Sequence, residues 1–287
     1  MADPTVGVVL LSMGNRPEEL ASALASLHQQ QNVEMDIVLV GNGWKPEGIP
    51  DWVRTFHVDE NLGVPGGRNH GAVLAQGEYL FFYDDDGCLA TPNTLRGMVD
   101  KMQPDVALVQ PRGVDPNGAP SPRRWVPRLF MRNELKPGDV VVFWEAMAMI
   151  RRSAFEEAGG WPAEFFFAHE GIDLALRLLD RGWRLRYEPS LVVHHPAHPA
   201  ARHAIYLRTN ARNRVWVARR NLPSLLVPAY LSVWIVATVV RIHHVAPLRE
   251  WFKGFQEGWS GPVPGGRSPI SWKTILKMTT LGRPPLW

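Results

Sequence analysis

Cysteine is almost absent from this chain, since Cys88 is the only one in 287 residues. A single cysteine excludes an internal disulfide and any zinc module built on several cysteines. The sequence also lacks an HExxH motif, which excludes the zinc-protease helix. The N-terminal sequence MADPTVG has no basic segment followed by an apolar one. We therefore expect the main part of the chain to face the cytoplasm.

Acidic residues are scarce in the last third of the chain. Residues 202–287 contain 13 Lys and Arg against only Glu250 and Glu257, whereas residues 1–201 contain 18 basic and 26 acidic residues. The net charge of +3 therefore hides an acidic first part and a basic tail. This asymmetry predicts different partners for the two parts.

Basic residues are missing from the stretch 79–90, where Asp84, Asp85 and Asp86 follow one another. The apolar run 78–83 predicts a buried strand, and ligands of open α/β sheets gather at the carboxyl ends of such strands. A divalent cation with oxygen ligands would offset the repulsion of three carboxylates. A solvated acidic turn that caps the next helix explains the triplet equally well at this point.

Apolar periodicity predicts alternating strands and helices in the first half of the chain. We expect an α/β fold with a doubly wound, mostly parallel sheet that is flanked by helices. A Pro- and Arg-rich stretch, 111–128, predicts a long loop before the second half. The predicted strands are 5–12, 35–40, 53–58, 78–83 and 141–150, and the predicted helices are 15–31, 66–75 and 169–181.

The C-terminal region contains an uncharged run, 221–240, which has the minimum length of a membrane span. Pro223 and Pro228 weaken that interpretation. Apolar side chains then recur at helical spacing beside Arg249 and Lys253, a pattern typical of a helix at a lipid interface. A span, a surface helix and an ordinary packed helix all remain open. We favour association with an anionic membrane surface over nucleic acid, because no nucleic-acid-binding module is recognisable.

Five landmarks, in order, resemble family 2 glycosyltransferases of the GT-A fold, over roughly residues 5–222. They are Asn15-Arg16-Pro17 after the first strand, NLGVPGGRNHG (61–71), the aspartate triplet, the GGW-to-HE..DL segment (159–174), and Pro189 before a strand that ends at His195. The resemblance implies an inverting transferase of the hexosyl- or deoxyhexosyl-transferase class. It implies a nucleotide-sugar donor, UDP- or dTDP-linked, a divalent metal, Mn or Mg, and a glycan or lipid-linked acceptor of the cell envelope.

The resemblance also assigns a donor side to the site. It implies that Asp86, Asp84 and His195 hold the metal. The donor-binding residues that it implies are Ser12, Asn15, Arg16, Asn42, Asn61, Gly67, Arg68, Asn69, Asp84 and Asp85. Gly41 stands where many relatives carry an Asp, so the nucleobase is not assigned. A tight turn at Gly67 beside a solvated Arg68 is the structural alternative.

The acceptor hydroxyl must lose a proton to a carboxylate or an imidazole. By resemblance, Glu170 is the candidate base and Asp173 the fallback, while Gly171 replaces a second acid of the family motif. The alternative is that both acids only stabilise a helix N-terminus. We expect acceptor contacts from polar and aromatic side chains that suit sugar rings, unless the aromatic ones belong to the core. The candidates are Trp125, Trp144, Glu145, Trp161 and His169.

These interpretations divide the chain into a catalytic domain, 1–220, and a helical, membrane-associated region, 221–287. Within the first, 1–110 is the donor half and 111–220 the acceptor half, and we expect the protein at the inner face of the cell membrane. Two other functions fit parts of the sequence. A sugar-phosphate nucleotidyltransferase would need a glycine-rich N-terminal loop that is missing, and a non-catalytic sugar-binding relative would tolerate Gly41 and Gly171.

Overall fold

The computed structural model describes residues 3–197 and 205–285, and within them nine strands form one sheet with helices on both faces. The strands are β1 (Thr5–Ser12), β2 (Glu34–Asn42), β3 (Arg54–Val58), β4 (Tyr79–Asp84), β5 (Cys88–Leu89), β6 (Val106–Val114), β7 (Gly138–Val140), β8 (Met147–Arg151) and β9 (Arg184–His194). The helices are α1 (Pro17–His28), α2 (Gly63–Leu74), α3 (Thr94–Val99), α4 (Arg152–Glu157), α5 (Glu170–Asp180), α6 (Tyr206–Asn221), α7 (Leu226–Arg241), α8 (Val245–Ser260) and α9 (Trp272–Thr280).

The sheet confirms the predicted α/β class and is mixed in direction. Its strand order is β3-β2-β1-β4-β8-β6-β9-β5, with β7 beside β9. Strands β1 to β4 are parallel, as expected for helix-connected strands. Strand β8 runs antiparallel to both β4 and β6. The chain reaches β8 through a loop at the carboxyl edge of the sheet, so β8 starts where β4 ends.

Alternate side chains of each central strand pack on opposite faces of the sheet. On β4, Phe81 and Tyr83 belong to a core with residues of α1 and α3. Leu80 and Phe82 belong to the second core, which includes α5 and α6. Because both faces are covered, the strand is apolar throughout, which is why its sequence gives a clear signal.

The carboxyl ends of β1 and β4 meet at one edge, since Leu11 is paired with Asp84 in parallel register. Strand β9 reaches the same edge by an irregular path. Its pairing with β6 shifts register after Pro111, and Cys88 of β5 then pairs with His194. The bulge thereby brings the residue after β9, His195, next to the aspartate triplet.

The strand predicted for 141–150 begins only at Met147. The preceding residues form a loop along the carboxyl edge, where the Trp144 N–H donates to Oε1 of Gln110 at 2.9 Å. Their apolar side chains are buried by loop packing and not by strand pairing, so composition alone suggested a longer strand.

The uncharged C-terminal run is not one continuous helix, because it is interrupted near its start. Helix α6 ends at Asn221 and α7 begins at Leu226, with Pro223 between them. Across residues 3–197 and 205–285, none of the helices has the length and apolar character that crossing a membrane requires. Helix α9 folds back onto α5, where the Thr274 hydroxyl donates to Asp180 at 2.7 Å.

Candidate active site

A cavity of about 640 Å³ lies at the carboxyl edge of the sheet. Residues from both halves of the chain line it, as the two-sided site predicted from the sequence requires. The predicted residues that line it are Ser12, Arg16, Asn42, Asn61, Arg68, Asp84, Asp85, Asp86, Trp125, Trp144, Glu145, His169, Glu170 and His195.

Five predicted residues, all within the described part of the chain, do not belong to this lining: Asn15, Gly67, Asn69, Trp161 and Asp173. Asn15 is exposed. The Asn69 side chain exchanges hydrogen bonds with the Trp161 backbone at 2.8 and 2.9 Å, and the Trp161 ring packs in the core against Phe82. Asp173 is fully buried between Arg177 and Asn221. A Cβ on Gly67 would lie 2.4 Å from Leu11 Cδ1, so this glycine allows α2 to pack closely on β1.

Asp84, Asp86 and His195 form a cluster whose ligand atoms lie within 4.8 Å of one another. One oxygen of each carboxylate is paired with an arginine, because Asp84 Oδ1 accepts from Arg68 at 2.7 Å and Asp86 Oδ2 accepts from Arg16. The other two oxygens face His195 Nε2, at 3.8 Å for Asp84 and 3.0 Å for Asp86. Three potential metal ligands therefore converge on one point.

Asp85 points away from this cluster. Its Oδ2 accepts a hydrogen bond from the Ser12 hydroxyl at 2.6 Å, and its Oδ1 is 2.5 Å from Arg16 Nη2. Burial raises the pKa of Asp85 to about 6, against the opposing effect of Arg16. With both oxygens already paired, Asp85 orients Arg16 and Ser12 and is not part of the converging group.

The imidazole of His195 is held from two sides. Its Nδ1 lies 2.9 Å from the Pro196 carbonyl, to which it can only donate, so Nε2 is the nitrogen that faces the carboxylates. The rings of Trp125 and Trp144 stack on each other at 4.8 Å and meet the imidazole edge-on. Burial lowers the pKa of His195, but its interactions with the Asp84 and Asp86 carboxylates outweigh this effect and raise the pKa to about 9.

Two glutamates face the cavity from its other side. Glu170 is the first residue of α5 and is 5% exposed. Burial, followed by the nearby charge of Glu145, raises the pKa of Glu170 to about 8, and burial raises the pKa of Glu145 as well. Glu170 Oε2 is buried and has no hydrogen-bond partner among residues 3–197 and 205–285. A carboxyl group with a raised pKa and a free oxygen is suited to proton transfer.

Gly171 explains how Glu145 comes to lie beside Glu170. The Gly171 N–H donates to Glu145 Oε1 at 3.1 Å, and a Cβ on Gly171 would lie 2.3 Å from Glu145 Cγ. The Glu145 carboxylate thus occupies the space that a side chain at position 171 would need. The expected motif has a second acid at position 171, where this chain has glycine, and the carboxylate of Glu145, from the loop before β8, lies next to that position instead.

The segment before α5 has a strained backbone that α6 stabilises. Phe166, Ala168 and His169 have φ between 62° and 73°, in the left-handed region that these residues rarely adopt. The side-chain amide of Asn213 donates to the carbonyls of Phe165, Phe167 and Ala168 at 2.8 to 2.9 Å. Strain of this kind persists where neighbouring groups fix the conformation, and here it sets the entry of α5 and hence Glu170.

The loops after β2 and before α2 are linked by amide side chains. Asn42 is 3% exposed and donates to Asn61 at 2.9 Å and to the Gly63 carbonyl at 3.1 Å. A Cβ on Gly41 would lie 2.0 Å from the Trp44 carbonyl oxygen. An aspartate therefore does not fit at position 41 in this loop conformation.

A family model described as glycosyl transferase family 2 matches residues 8–159, which are more than half of the chain. The chain belongs to glycosyl transferase family 2. Asp84, Asp86 and Glu145 lie within the match, whereas Glu170 and His195 lie beyond it.

Two curated relatives and one solved structure are similar to this family 2 chain. The Pre-mycofactocin glycosyltransferase of Mycobacterium tuberculosis is 27% identical over 205 residues, which are 65% of this chain and 42% of that protein. This chain thus spans less than half of that relative's length. The N-acetylglucosaminyl-diphospho-decaprenol L-rhamnosyltransferase of the same species is 37% identical over 76 residues, 25% of each chain.

The solved structure is that of GalNAc-T7 with UDP, GalNAc and Mn2+. It has a TM-score of 0.63 and 14% identity, and the likeness covers 89% of this chain and 56% of that one. The similarity confirms the GT-A fold that the order of motifs predicted.

Sequence reasoning missed the positions of Glu145 and Asn213. Glu145 was expected to contact the acceptor, and only the three-dimensional packing shows it against Gly171. The missing second acid at position 171 was the one available signal that another carboxylate takes its place. Asn213 lies in a basic stretch of α6, and its spacing gives no indication of the three carbonyls that it contacts.

The packing of Glu145 on Gly171 predicts a coupled effect on stability. We expect Gly171→Ala to lower the free energy of unfolding by about 1–3 kcal/mol, because the new Cβ overpacks the buried glutamate. In a Glu145→Ala background the same change should cost much less, since the conflicting side chain is gone. Urea unfolding of the four proteins of this double-mutant cycle measures the coupling. Equal costs in both backgrounds would show that Glu145 does not fill this space.

Proposed function

We propose that this chain is an inverting, metal-dependent glycosyltransferase that moves a sugar from a nucleotide-diphosphate donor to an acceptor hydroxyl. One observation carries the proposal: Asp84, Asp86 and His195 converge on one side of the cavity, and Glu170 presents a free carboxyl oxygen on the other. A divalent-ion site facing a proton acceptor is what a displacement at an anomeric carbon needs.

The residues at the carboxyl edge fit a divalent metal ion. Two carboxylate oxygens and one imidazole nitrogen converge, and the buried Asp86 Oδ1 faces His195 Nε2, which lies 3.0 Å away. Carboxylate oxygens suit Mg²⁺ and Mn²⁺, and a neutral imidazole can complete the set. When bound, the ion acts as a Lewis acid on the donor's diphosphate. UDP and Mn2+ in the GalNAc-T7 structure support this assignment.

Arg68 is the second element of the proposed donor side. Its side chain is 1% exposed, its Nη2 donates to Asp84, and its Nε and Nη1 have no hydrogen-bond partner among the described residues. At Asp84 burial is outweighed by the charge of the same guanidinium together with His195, so the pKa of that carboxyl group is lowered, whereas at Glu145 and Glu170 the guanidinium only opposes the larger effect of burial, which raises the pKa. It orients the metal-binding carboxylate and keeps donors available for a diphosphate oxygen.

The proposed reaction is a single displacement. The acceptor oxygen forms a bond to the anomeric carbon while the bond from that carbon to the diphosphate oxygen breaks. The acceptor proton moves to Glu170 Oε2, and the nucleoside diphosphate leaves with the electron pair. Glu145 is fixed by the Gly171 N–H and acts on Glu170 through its charge, so we assign the base role to Glu170. Asp173 is excluded from this role by its ion pair with Arg177 in the core.

A screen of nucleotide sugars tests the function directly. Metal-dependent hydrolysis of one donor, together with a raised melting temperature, is expected, and the anomeric configuration of the transfer product is read by NMR. A product of retained configuration would contradict the single displacement. No response to any donor with Mn²⁺ or Mg²⁺ would contradict the enzyme assignment.

The metal assignment predicts the effect of Asp86→Asn. We expect at least a 100-fold loss of transfer and loss of the Mn²⁺-dependent rise in melting temperature, because one converging oxygen becomes a poorer ligand. The matched control is Asp59→Asn, whose carboxylate is 94% exposed and does not line the cavity. Metal-dependent stabilisation that survives in the Asp86 variant would contradict the assignment.

The glutamate pair predicts a pH dependence. Because the pKa of Glu170 is raised to about 8, the deprotonated fraction of this carboxyl group increases with pH, and kcat/KM should be half-maximal near pH 8 and level off at higher pH. Besides Glu145, the charges that face Glu170 are Arg68, which lowers its pKa, and Asp84, which raises it. In Glu145→Gln the ascending limb should move to lower pH, since a neighbouring negative charge is removed. An unmoved limb would show that Glu145 does not control this proton.

We further propose that residues 1–220 form the catalytic region and that the helices from 221 onward attach it to an anionic membrane surface. The last turns of α7 expose Val236, Val239 and Val240, and Trp259 of α8 is 57% exposed. Basic Arg241 and Arg249 are exposed in the same region. The diphospho-decaprenol in the name of the rhamnosyltransferase relative supports an acceptor at a membrane.

The membrane proposal predicts that Val240→Glu reduces binding to anionic vesicles several-fold. The new charge would have to enter the lipid interface, which apolar side chains favour and carboxylates do not. Val73→Glu on α2 is the matched control, since Val73 is 84% exposed at a distant helix. Co-sedimentation at low and high salt is the measurement. Equal binding by both variants, or binding to RNA without any to vesicles, would contradict the proposal.

A further inference from the structure

A second region of the same cavity is lined by arginines instead of carboxylates. Arg214 of α6 and Arg283, which follows α9, both line it. Tyr230 and Trp234 of α7 belong to the same lining. The three C-terminal elements that meet here are separate from the strands that present the aspartates.

Arg214 is buried and Arg283 is half-buried, and neither guanidinium group has the carboxylate partner that buried arginines normally have. Arg214 is 8% exposed, lies 3.5 Å above the Trp234 ring, and has a long hydrogen bond of 3.4 Å to the Tyr230 hydroxyl. Among residues 3–197 and 205–285, no carboxylate lies within 4.0 Å of Arg214 or Arg283. Arg283 Nε and Trp234 Nε1 are buried and have no hydrogen-bond partner in that part of the chain.

Burial of these cations is unfavourable in the free protein. It lowers the pKa of Arg214, and burial together with the charge of Arg123 lowers the pKa of Arg283 to about 10. A bound anion with matching oxygens would offset this unfavourable burial. Donors without acceptors in a cavity therefore indicate an anionic ligand, and arginine forks suit phosphate oxygens in particular.

The walls around these arginines are apolar. Ile172, Leu176, Val217, Leu222 and Met278 line the same cavity. Helix α7 connects this region to the surface, because Tyr230 and Trp234 face the cavity while Val236 and Val240 are exposed two turns later at most. A ligand with an anionic group and an apolar chain matches both features, whereas a free sugar phosphate would leave the apolar wall without a partner.

We propose that Arg214 and Arg283 bind the phosphate or diphosphate group of an amphiphilic acceptor whose apolar chain leaves along α7. The inference rests on the proposed transferase function and adds the chemical class of its acceptor. The acceptor's hydroxyl-bearing end would then face Glu170, which lines the same cavity.

Binding of farnesyl diphosphate, measured by calorimetry in EDTA, tests this site. EDTA prevents binding through a metal ion at the aspartate cluster. We expect binding to weaken at least tenfold in Arg214→Gln and in Arg283→Gln, while Arg132→Gln, which removes an exposed guanidinium, leaves it unchanged. Inorganic pyrophosphate tests the anion alone, and farnesol tests the chain alone. Both should bind at least tenfold more weakly than farnesyl diphosphate.

Several results would overturn the proposal: no binding of farnesyl diphosphate, binding that neither arginine variant weakens, or equal binding of pyrophosphate, which would indicate a site for free phosphate.

Melting temperatures separate binding from folding. Neither arginine has a described carboxylate to leave unpaired, so both variants should melt no more than a few degrees below the wild type. If Arg214→Gln fails to fold, Arg283→Gln and Arg283→Lys carry the test, with the lysine variant binding at an intermediate level.

Donor hydrolysis by the wild-type protein keeps this proposal separate from the proposed function. Metal-dependent hydrolysis without farnesyl diphosphate binding would refute the acceptor class and leave the transferase intact. Arginine-dependent binding of farnesyl diphosphate with no response to any donor would refute the transferase and leave an anionic-lipid site.

Discussion

The buried guanidinium of Arg68 is the interaction on which the cavity depends. It comes from α2, pairs with Asp84, and acts through its charge on Glu145 and Glu170 across the cavity. Five carboxylates line the same cavity, and like charges close to one another repel. Arg68, Arg16 and His195 divide this charge, so the aspartate edge and the glutamate pair can coexist in one folded protein.

The same arrangement ties metal loading to protonation in the proposed mechanism. His195 has a pKa of about 9, so at neutral pH its imidazole is a cation that neutralises Asp84 and Asp86. A metal ion needs Nε2 without its proton, and its own charge replaces the one that is lost. In this structure Arg16 and Arg68 are paired with the outer oxygens of the two aspartates. Arg16, Arg68 and His195 thus offset the charge of the aspartates in the folded protein, and a bound ion would replace the contribution of His195.

Local pattern predicted the parts of this site that lie within one element, and packing between distant segments supplied the rest. The strand β4 and the aspartates at its carboxyl end could be predicted because both faces of the strand are covered, which makes its sequence apolar. His195 was predicted as a site residue from its position after Pro189. No basic residue next to the aspartate triplet in the sequence offsets its negative charge. Arg16, from the loop before α1, and Arg68, from α2, do so instead. The match of Glu145 to Gly171 joins residues 26 positions apart and has no periodicity to reveal it. The loop at 141–146 resembled a strand for a related reason, since burial by loops and by sheet pairing selects the same side chains.

Helix α6 connects the chemistry of the cavity to the C-terminal helices. Its Asn213 fixes the left-handed segment before Glu170, and its Arg214, one residue later, lines the arginine region. Successive residues on a helix point about 100° apart. Asn213 therefore fixes the segment before Glu170 from one face of α6, while Arg214 on the neighbouring face lines the region where we propose that the acceptor binds. Ile270 and Met278, near and within α9, belong to the core that contains α5. The C-terminal region is thus packed against the core that contains α5, and the proposed binding of α7 to a membrane would act on the elements that orient Glu170.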